Sequence, residues 1–234
     1  MIAIEGAGAG QVACRPMRSA RALAVLASLL LASCGGGDDT SSSSSASAPG
    51  CEPAEQPAPK DTSFSKPEQV LKPGQKATAT VVTSCGDFVI ELDTKEWPKT
   101  SNSFAFLAEQ GFYDETWFQR IVTDAFIQGG DPSGDGTGGP GYTVTEPPPS
   151  DTSYLEGFVA MGKTSVQPPG TSGSQFFVVA QADAGLPPDF ALLGQVVDGI
   201  DVVKRIAALG DPASGQAGTP TQVVLIKTIK IGTK

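Results

Sequence analysis

Phe118-Gln119-Arg120-Ile121-Val122-Thr123-Asp124-Ala125-Phe126-Ile127-Gln128-Gly129-Gly130-Asp131 carries more information than any other stretch of the chain. It predicts two short strands, at 117–122 and 125–129. Gly129-Gly130 permits a tight turn after the second. An arginine amid Phe118, Ile121 and Val122 is unusual on a strand. Arg120 therefore reads either as half of a surface ion pair or as a functional group, and Gln128 either as a solvent-facing strand end or as a second functional group.

Working outward, 78–83 and 88–92 are β-rich runs separated by Ser84-Cys85-Gly86-Asp87, a hairpin signal. Further strands are expected at 157–161, 175–180, 191–197 and 222–231. They are short and spaced by Gly/Pro turns, as in an all-β barrel or sandwich. Two helices interrupt them. Pro98 opens the first, with Phe104, Leu107 and Ala108 on one face and Gly111 after it. The second spans about 198–209, where Val202, Val203, Ile206 and Ala207 recur at helical spacing and Gly210 is a stop. There is no internal repeat.

The opening stretch and Gly173-Ser174-Gln175-Phe176-Phe177 resemble, in this order, the F-H-R-x-x-x-x-F-x-x-Q-G-G-D and N-G-S-Q-F-F blocks of the cyclophilin family of peptidyl-prolyl isomerases. The resemblance covers roughly residues 80–232. It implies an all-β fold with two helices: a closed eight-stranded antiparallel β-barrel with a helix over each end. It implies a peptidyl-prolyl cis-trans isomerase that needs no cofactor. Arg120 matches the family arginine that hydrogen-bonds the substrate and favours a pyramidal prolyl nitrogen. Gln128 and Gln175 match residues that contact substrate backbone. The resemblance implies a proline slot built from Phe126, Phe177, Leu186 and Phe190, although any one of these aromatics taken alone reads as core packing.

Departures from the family pattern count too. Ala125 stands where a pocket Phe is usual, Gln119 where His is usual, and Phe190 where His is common. Gly185 replaces the tryptophan of cyclosporin-sensitive members, which argues against strong cyclosporin binding. Gly162-Lys163 replaces Ala-Asn, and the 161–175 segment is longer than usual. A missing ring at 125 widens the slot. These changes keep open an alternative, a cyclophilin-like peptide-binding module or holdase with little turnover.

The composition sets exclusions. The 234 residues suffice for one ordinary domain plus extra segments, not for the two large lobes of a transporter's substrate-binding lipoprotein. There is no histidine, which excludes Ser-His-Asp and Cys-His catalysis and His-ligated zinc. No metal site is expected. The net charge of −9 argues against nucleic-acid binding. Gly134-Asp135-Gly136-Thr137-Gly138-Gly139 fits G-x-G-x-x-G, but Asp131 and Asp135 repel phosphate and Pro140 follows where a helix is required. The same stretch begins like an EF-hand, yet the twelfth position is Tyr142 rather than Glu. Gly136-Thr137-Gly138-Gly139 resembles a loop that borders the groove in the family.

The N-terminus reads as a targeting segment. Arg15, Arg18 and Arg21 precede an uncharged, mostly apolar run at 22–33, too short to span a bilayer. It ends in Leu31-Ala32-Ser33-Cys34, which resembles a bacterial lipobox, whose cysteine is acylated; the plainer alternative is an ordinary signal peptide with an incidental cysteine. Either Met1 or Met17 serves as the start. The expected organisation is a signal peptide at 1–33, a lipid-anchored tether and Pro-rich arm at 34–76, and the barrel domain at 77–234. The segment at 35–50 reads as a flexible tether, and 51–73 as an extended arm or a disordered continuation of it. Without residues 1–33, which hold three basic residues and Glu5, the balance is 13 basic against 24 acidic residues, −11. Cys51 and Cys85 are expected to pair in an exported protein, the alternative being two free thiols. The expected partners are proline-containing polypeptides outside the cytoplasm and a membrane held through the anchor, with the domain acting as a monomer.

Overall fold

The computed structural model describes residues 47–234. The expected signal peptide, Cys34 and the tether up to residue 46 lie outside the described residues. Thr83 pairs with Gly86 across the two-residue turn Ser84-Cys85, joining β1 (Ala77–Thr83) and β2 (Gly86–Leu92) as an antiparallel hairpin. Gly86 sits at φ +112°, a conformation that glycine adopts without a side-chain penalty. Alternation then sets the inner face: Ala77, Ala79 and Val81 of β1 and Phe88, Ile90 and Leu92 of β2 are buried.

In chain order follow α1 (Pro98–Glu109), β3 (Thr116–Trp117), β4 (Arg120–Val122), β5 (Phe126–Gly129), β6 (Val144–Thr145), β7 (Phe158–Met161), β8 (Thr171–Ser172), β9 (Phe176–Val179), β10 (Leu192–Asp198), α2 (Ile200–Ala207), a 3-10 segment (Pro212–Ala217) and β11 (Leu225–Thr233). Nine strands form one antiparallel sheet in the order β3-β11-β1-β2-β10-β7-β9-β5-β4, and β6 pairs with β8 apart from it. Nine strands stand where eight are expected because 117–122 divides at Phe118-Gln119. Trp117 pairs with Leu225 of β11, whereas Arg120 pairs with Gln128 of β5. The first and last strands of the sheet are therefore two residues apart in the chain.

α1 begins where its sequence pattern predicts, whereas α2 is shorter than predicted at both ends. Pro98 opens α1, as its fixed φ suits the first turn. The free N–H groups of that turn are satisfied from a distance: the Glu146 carboxylate accepts from the Lys99 N–H (3.0 Å), the Thr100 N–H (2.7 Å) and the Thr100 hydroxyl (2.7 Å). α2 starts at Ile200 rather than 198 because Asp198 stays in β10, paired with Val89, and Gly199 turns the chain at φ +77°.

Residues 51–73 contain no helix or strand, yet they pack on the body. A disulfide joins Cys51 to Cys85, 34 positions apart. Closing a loop of that size stabilises by about 3–4 kcal/mol by loop-entropy arithmetic. Farther along, the Asn102 side chain of α1 accepts from the Val70 and Leu71 N–H groups at 2.8 and 2.9 Å, and Leu71 is buried.

Candidate functional site

The site is a face of the sheet that the core does not use. Arg120 pairs with Gln128, Gln128 with Phe177, and Phe177 with Ala160, so one row of residues crosses β4, β5, β9 and β7. The neighbouring row on the same face is Val122, Phe126 and Val179. Side chains alternate along each strand, so Ile121, Ile127, Phe176 and Val178 enter the main core. Val122, Phe126, Phe177 and Val179 form a second apolar cluster outside it, joined by Tyr154 and flanked by Ala125, Leu186 and Phe190. Adjacent phenylalanines thus have opposite duties, Phe176 inside and Phe177 in the groove.

Phe177 is the hub. Its ring centroid lies 5.7 Å from Phe126, 5.3 Å from Phe190 and 6.1 Å from Tyr154. Phe126 and Phe177 are buried, while Leu186 and Phe190 are half-buried. Arg120 lies over the Phe126 ring at 4.8 Å, a cation–π contact. No salt bridge among the described residues involves Arg120, and its partial burial lowers the guanidinium pKa from its usual value. An arginine remains charged under such a shift.

Polar contacts hold that charge in place. Arg120 Nε and Nη2 donate to the Gln216 carbonyl at 3.2 and 2.8 Å, and Nη1 donates to Gln128 Oε1 at 3.1 Å. Gln128 Nε2 donates to Gln175 Oε1 at 3.0 Å, and Gln175 Nε2 donates to the Gly136 and Gly138 carbonyls, both at 3.0 Å. The amide of Gln119 lies 3.1 Å from that of Gln175. A relay of side-chain amides therefore runs from the glycine loop to the guanidinium. Of the five guanidinium N–H groups, three are engaged and two remain for a ligand. Beyond Gln128 and Gln175 opens a polar recess of about 440 Å³, bordered by Gly138, Gly162, Lys163 and Ser174.

The structure thus brings Arg120, Gln128, Phe126, Gln175, Phe177, Leu186 and Phe190 together; Cys51 and Cys85 lie elsewhere, and Cys34 lies outside the described residues. Other members of the site are absent from the sequence reading. The Tyr154 hydroxyl donates to the Phe190 carbonyl (2.7 Å) and accepts from the Phe190 N–H (2.9 Å). Burial pushes its pKa up, so it stays a neutral donor. A lone tyrosine after the polar run 147–153 is the signal that could have found it. Gln216 and Gly218 come from the unexpected 3-10 turn and its end. Gly218 sits at φ +67°, and a Cβ there would come within 2.8 Å of Arg120 Cγ. Lys163, one of the departures, forms a half-buried ion pair with Asp189 and lies 5.7 Å from the Phe190 ring centroid, tying the 163–170 segment to the slot. Ala125 packs against the apolar cluster, and a Cβ at Gly185 would meet nothing within 4 Å.

A family model described as cyclophilin type peptidyl-prolyl cis-trans isomerase/CLD matches residues 78–231. The probable peptidyl-prolyl cis-trans isomerase B of Mycobacterium tuberculosis is 33% identical over 193 residues, covering 76% of this chain and 61% of that protein. The chain thus spans about three-fifths of the length of that relative. The peptidyl-prolyl cis-trans isomerase-like 1 of Neurospora crassa is 33% identical over 154 residues, 64% of this chain and 93% of that one. Among solved structures, a cyclophilin-type isomerase of Cryptosporidium parvum superposes with a TM-score of 0.61 at 27% identity, over 68% of this chain and 99% of the other. A second structure of that protein, in the presence of the dipeptide Ala-Pro, gives 0.59 at 28% identity, over 67% and 99%.

Proposed function

The chain belongs to the cyclophilin-type peptidyl-prolyl cis-trans isomerase family, and we propose that it catalyses cis/trans isomerisation of X-Pro bonds in exported polypeptides. Rotation about such a bond is slow because amide resonance must be lost, at a cost of about 20 kcal/mol. No covalent step is required. A catalyst must bind the twisted amide more tightly than either planar form. In this reading the proline ring enters the slot of Phe126, Phe177, Leu186 and Phe190. The two unengaged N–H groups of Arg120 reach the prolyl nitrogen or its carbonyl as the amide twists, and Gln128 and Gln175 hold the flanking backbone. A charge desolvated beside an apolar slot acts on a developing dipole more strongly than it would in water.

The observation that carries the reading is the row Arg120–Gln128–Phe177. It sets one unpaired, oriented guanidinium against an apolar slot. The test is an isomerase assay on several X-Pro peptides with residues 47–234. Turnover well above the uncatalysed rate is expected. The small residues at Ala125 and Gly185 favour a second reading, a peptide-binding module with little turnover. Wild-type protein that binds proline peptides without turnover, and that gains none with Ala125→Phe, would establish it.

Three further parts belong to this proposal. The sheet acts as a closed eight-stranded barrel, with 116–122 counted as one strand bonded to β11 in its first half and to β5 in its second; the pairings of Trp117 and Arg120 support this. The protein works as a monomer outside the cytoplasm, for which the Cys51–Cys85 bond is the supporting chemistry, since such bonds persist in oxidising compartments. A lipid on Cys34 holds it to a membrane, as Leu31-Ala32-Ser33-Cys34 suggests.

A further inference from the structure

The arm at 52–71 has no regular structure of its own, yet its backbone is hydrogen-bonded to the body at several places. Two of these bracket the glycine loop. The Lys60 N–H donates to the Pro132 carbonyl at 2.9 Å, and the Phe64 N–H donates to the Pro140 carbonyl at 2.8 Å. Both side chains reinforce the attachment. Lys60 Nζ donates to the carbonyls of Phe112 and Asp114, beyond the end of α1, and the Phe64 ring lies 5.2 Å from Phe106 and 6.4 Å from Phe112. Contact with the loop is close: Gly141 sits at φ +86°, and a Cβ there would stand 2.9 Å from the Phe64 carbonyl oxygen.

The loop between these two attachments is rich in glycine and has no helix or strand, so fixing it costs more entropy than fixing most segments. It nevertheless has a structural task at the groove, because its Gly136 and Gly138 carbonyls orient Gln175, which orients Gln128 and, through it, Arg120. Among the described residues, neither Lys60 nor Phe64 makes a hydrogen bond or ring contact to Arg120, Gln128, Gln175 or Phe177.

We propose that residues 52–71 are a strap that positions the peptide groove: Lys60 and Phe64 pin the two ends of the 131–141 loop, the loop fixes the amide relay, and the Cys51–Cys85 bond holds the strap in place. Lys60 and Phe64 are then positioning residues for backbone recognition. The inference rests on the isomerase reading only in taking this groove as the peptide site.

The experiment uses the full chain as wild type, Phe64→Ala, Lys60→Met, Phe64→Leu and the double variant Cys51→Ala/Cys85→Ala. Three quantities are measured: amide hydrogen exchange at 133–139, equilibrium affinity for a blocked Ala-Ala-Pro-Ala peptide, and kcat and KM. Phe64→Ala, Lys60→Met and the double variant should speed loop exchange about tenfold, a local opening made easier. They should weaken peptide affinity about fivefold and raise KM with kcat little changed, because Gln175 and Gln128 hold backbone in both ground and transition states. Phe64→Leu should restore most of the loss. If Phe64→Ala does not fold, Lys60→Met and the double variant carry the test. Variants that lower the melting temperature while leaving loop exchange and peptide affinity at wild-type values overturn the strap. Exchange and affinity need no turnover, so an inactive wild type would sink the isomerase reading without deciding this one.

Discussion

Arg120 is unusual because a sheet residue carries a full charge with no salt bridge among the described residues, held by one carbonyl, one amide and one aromatic face. Replacing it with alanine removes the charge and leaves the core untouched, since Ile121 is the residue of that strand pointing inward. Arg120→Ala should keep the melting temperature and cut kcat/KM by about a hundredfold or more, equivalent to roughly 2.7 kcal/mol of transition-state stabilisation. A loss of folding with no specific loss of turnover would place the residue in the structure rather than the chemistry. Tyr154→Phe tests the opposite side of the slot. It leaves the Phe190 N–H and carbonyl without their common partner, so stability should fall by about 1–2 kcal/mol and KM should rise. Unchanged thermal unfolding and unchanged KM would show that water replaces the hydroxyl. The two kinds of residue differ in how readable they are. Arg120, Gln128 and Phe177 stand in contiguous blocks with a recognisable spacing. Tyr154 acts on a residue 36 positions away, and Gln216, Gly136 and Gly138 contribute only main-chain carbonyls, which leave no residue-type signature.

At the scale of elements, legibility follows length. β1, β2, β10 and β11 each run seven residues or more, long enough for a pattern, and the sequence predicts them to within a few residues. β6 and β8 are two residues each and carry no period at all. The break at Phe118-Gln119 is invisible locally because it arises from a change of neighbour, from β11 to β5. The glycine loop is an element held by side chains rather than by a ladder. Asp135 accepts hydrogen bonds from Ser133 and Thr137, which lower its pKa from 3.8 to about 2. The folded value lies below the unfolded one, so this contribution is complete above about pH 4 and is lost as pH falls through about 2. A carbon-detected titration of the Asp135 carboxyl should give a midpoint near 2. A midpoint near 4 would mean that these hydrogen bonds do not persist in solution.

For the whole molecule, the described residues form one body of sheet, two helices and a disulfide-fixed arm. The sequence reading leaves the arm as an extension or a disordered run, because Pro-rich chain has no periodicity and its attachments are mostly through backbone N–H groups. Anchorage is tested on the full chain: Cys34→Ser should move the protein from the membrane fraction to the soluble fraction, and a mature N-terminus found downstream of residue 34 without acylation would refute the anchor.

The Cys51–Cys85 bond also decides how the molecule responds to mechanical load. A pull on the chain ahead of residue 51 meets a covalent short circuit and enters the body at the tip of the first hairpin. The intervening stretch, with Lys60 and Phe64 in it, lies off the force path and stays slack. Tension from a membrane would then enter the sheet through β2, which β1 and β10 hold on either side, rather than through the arm that fixes the glycine loop.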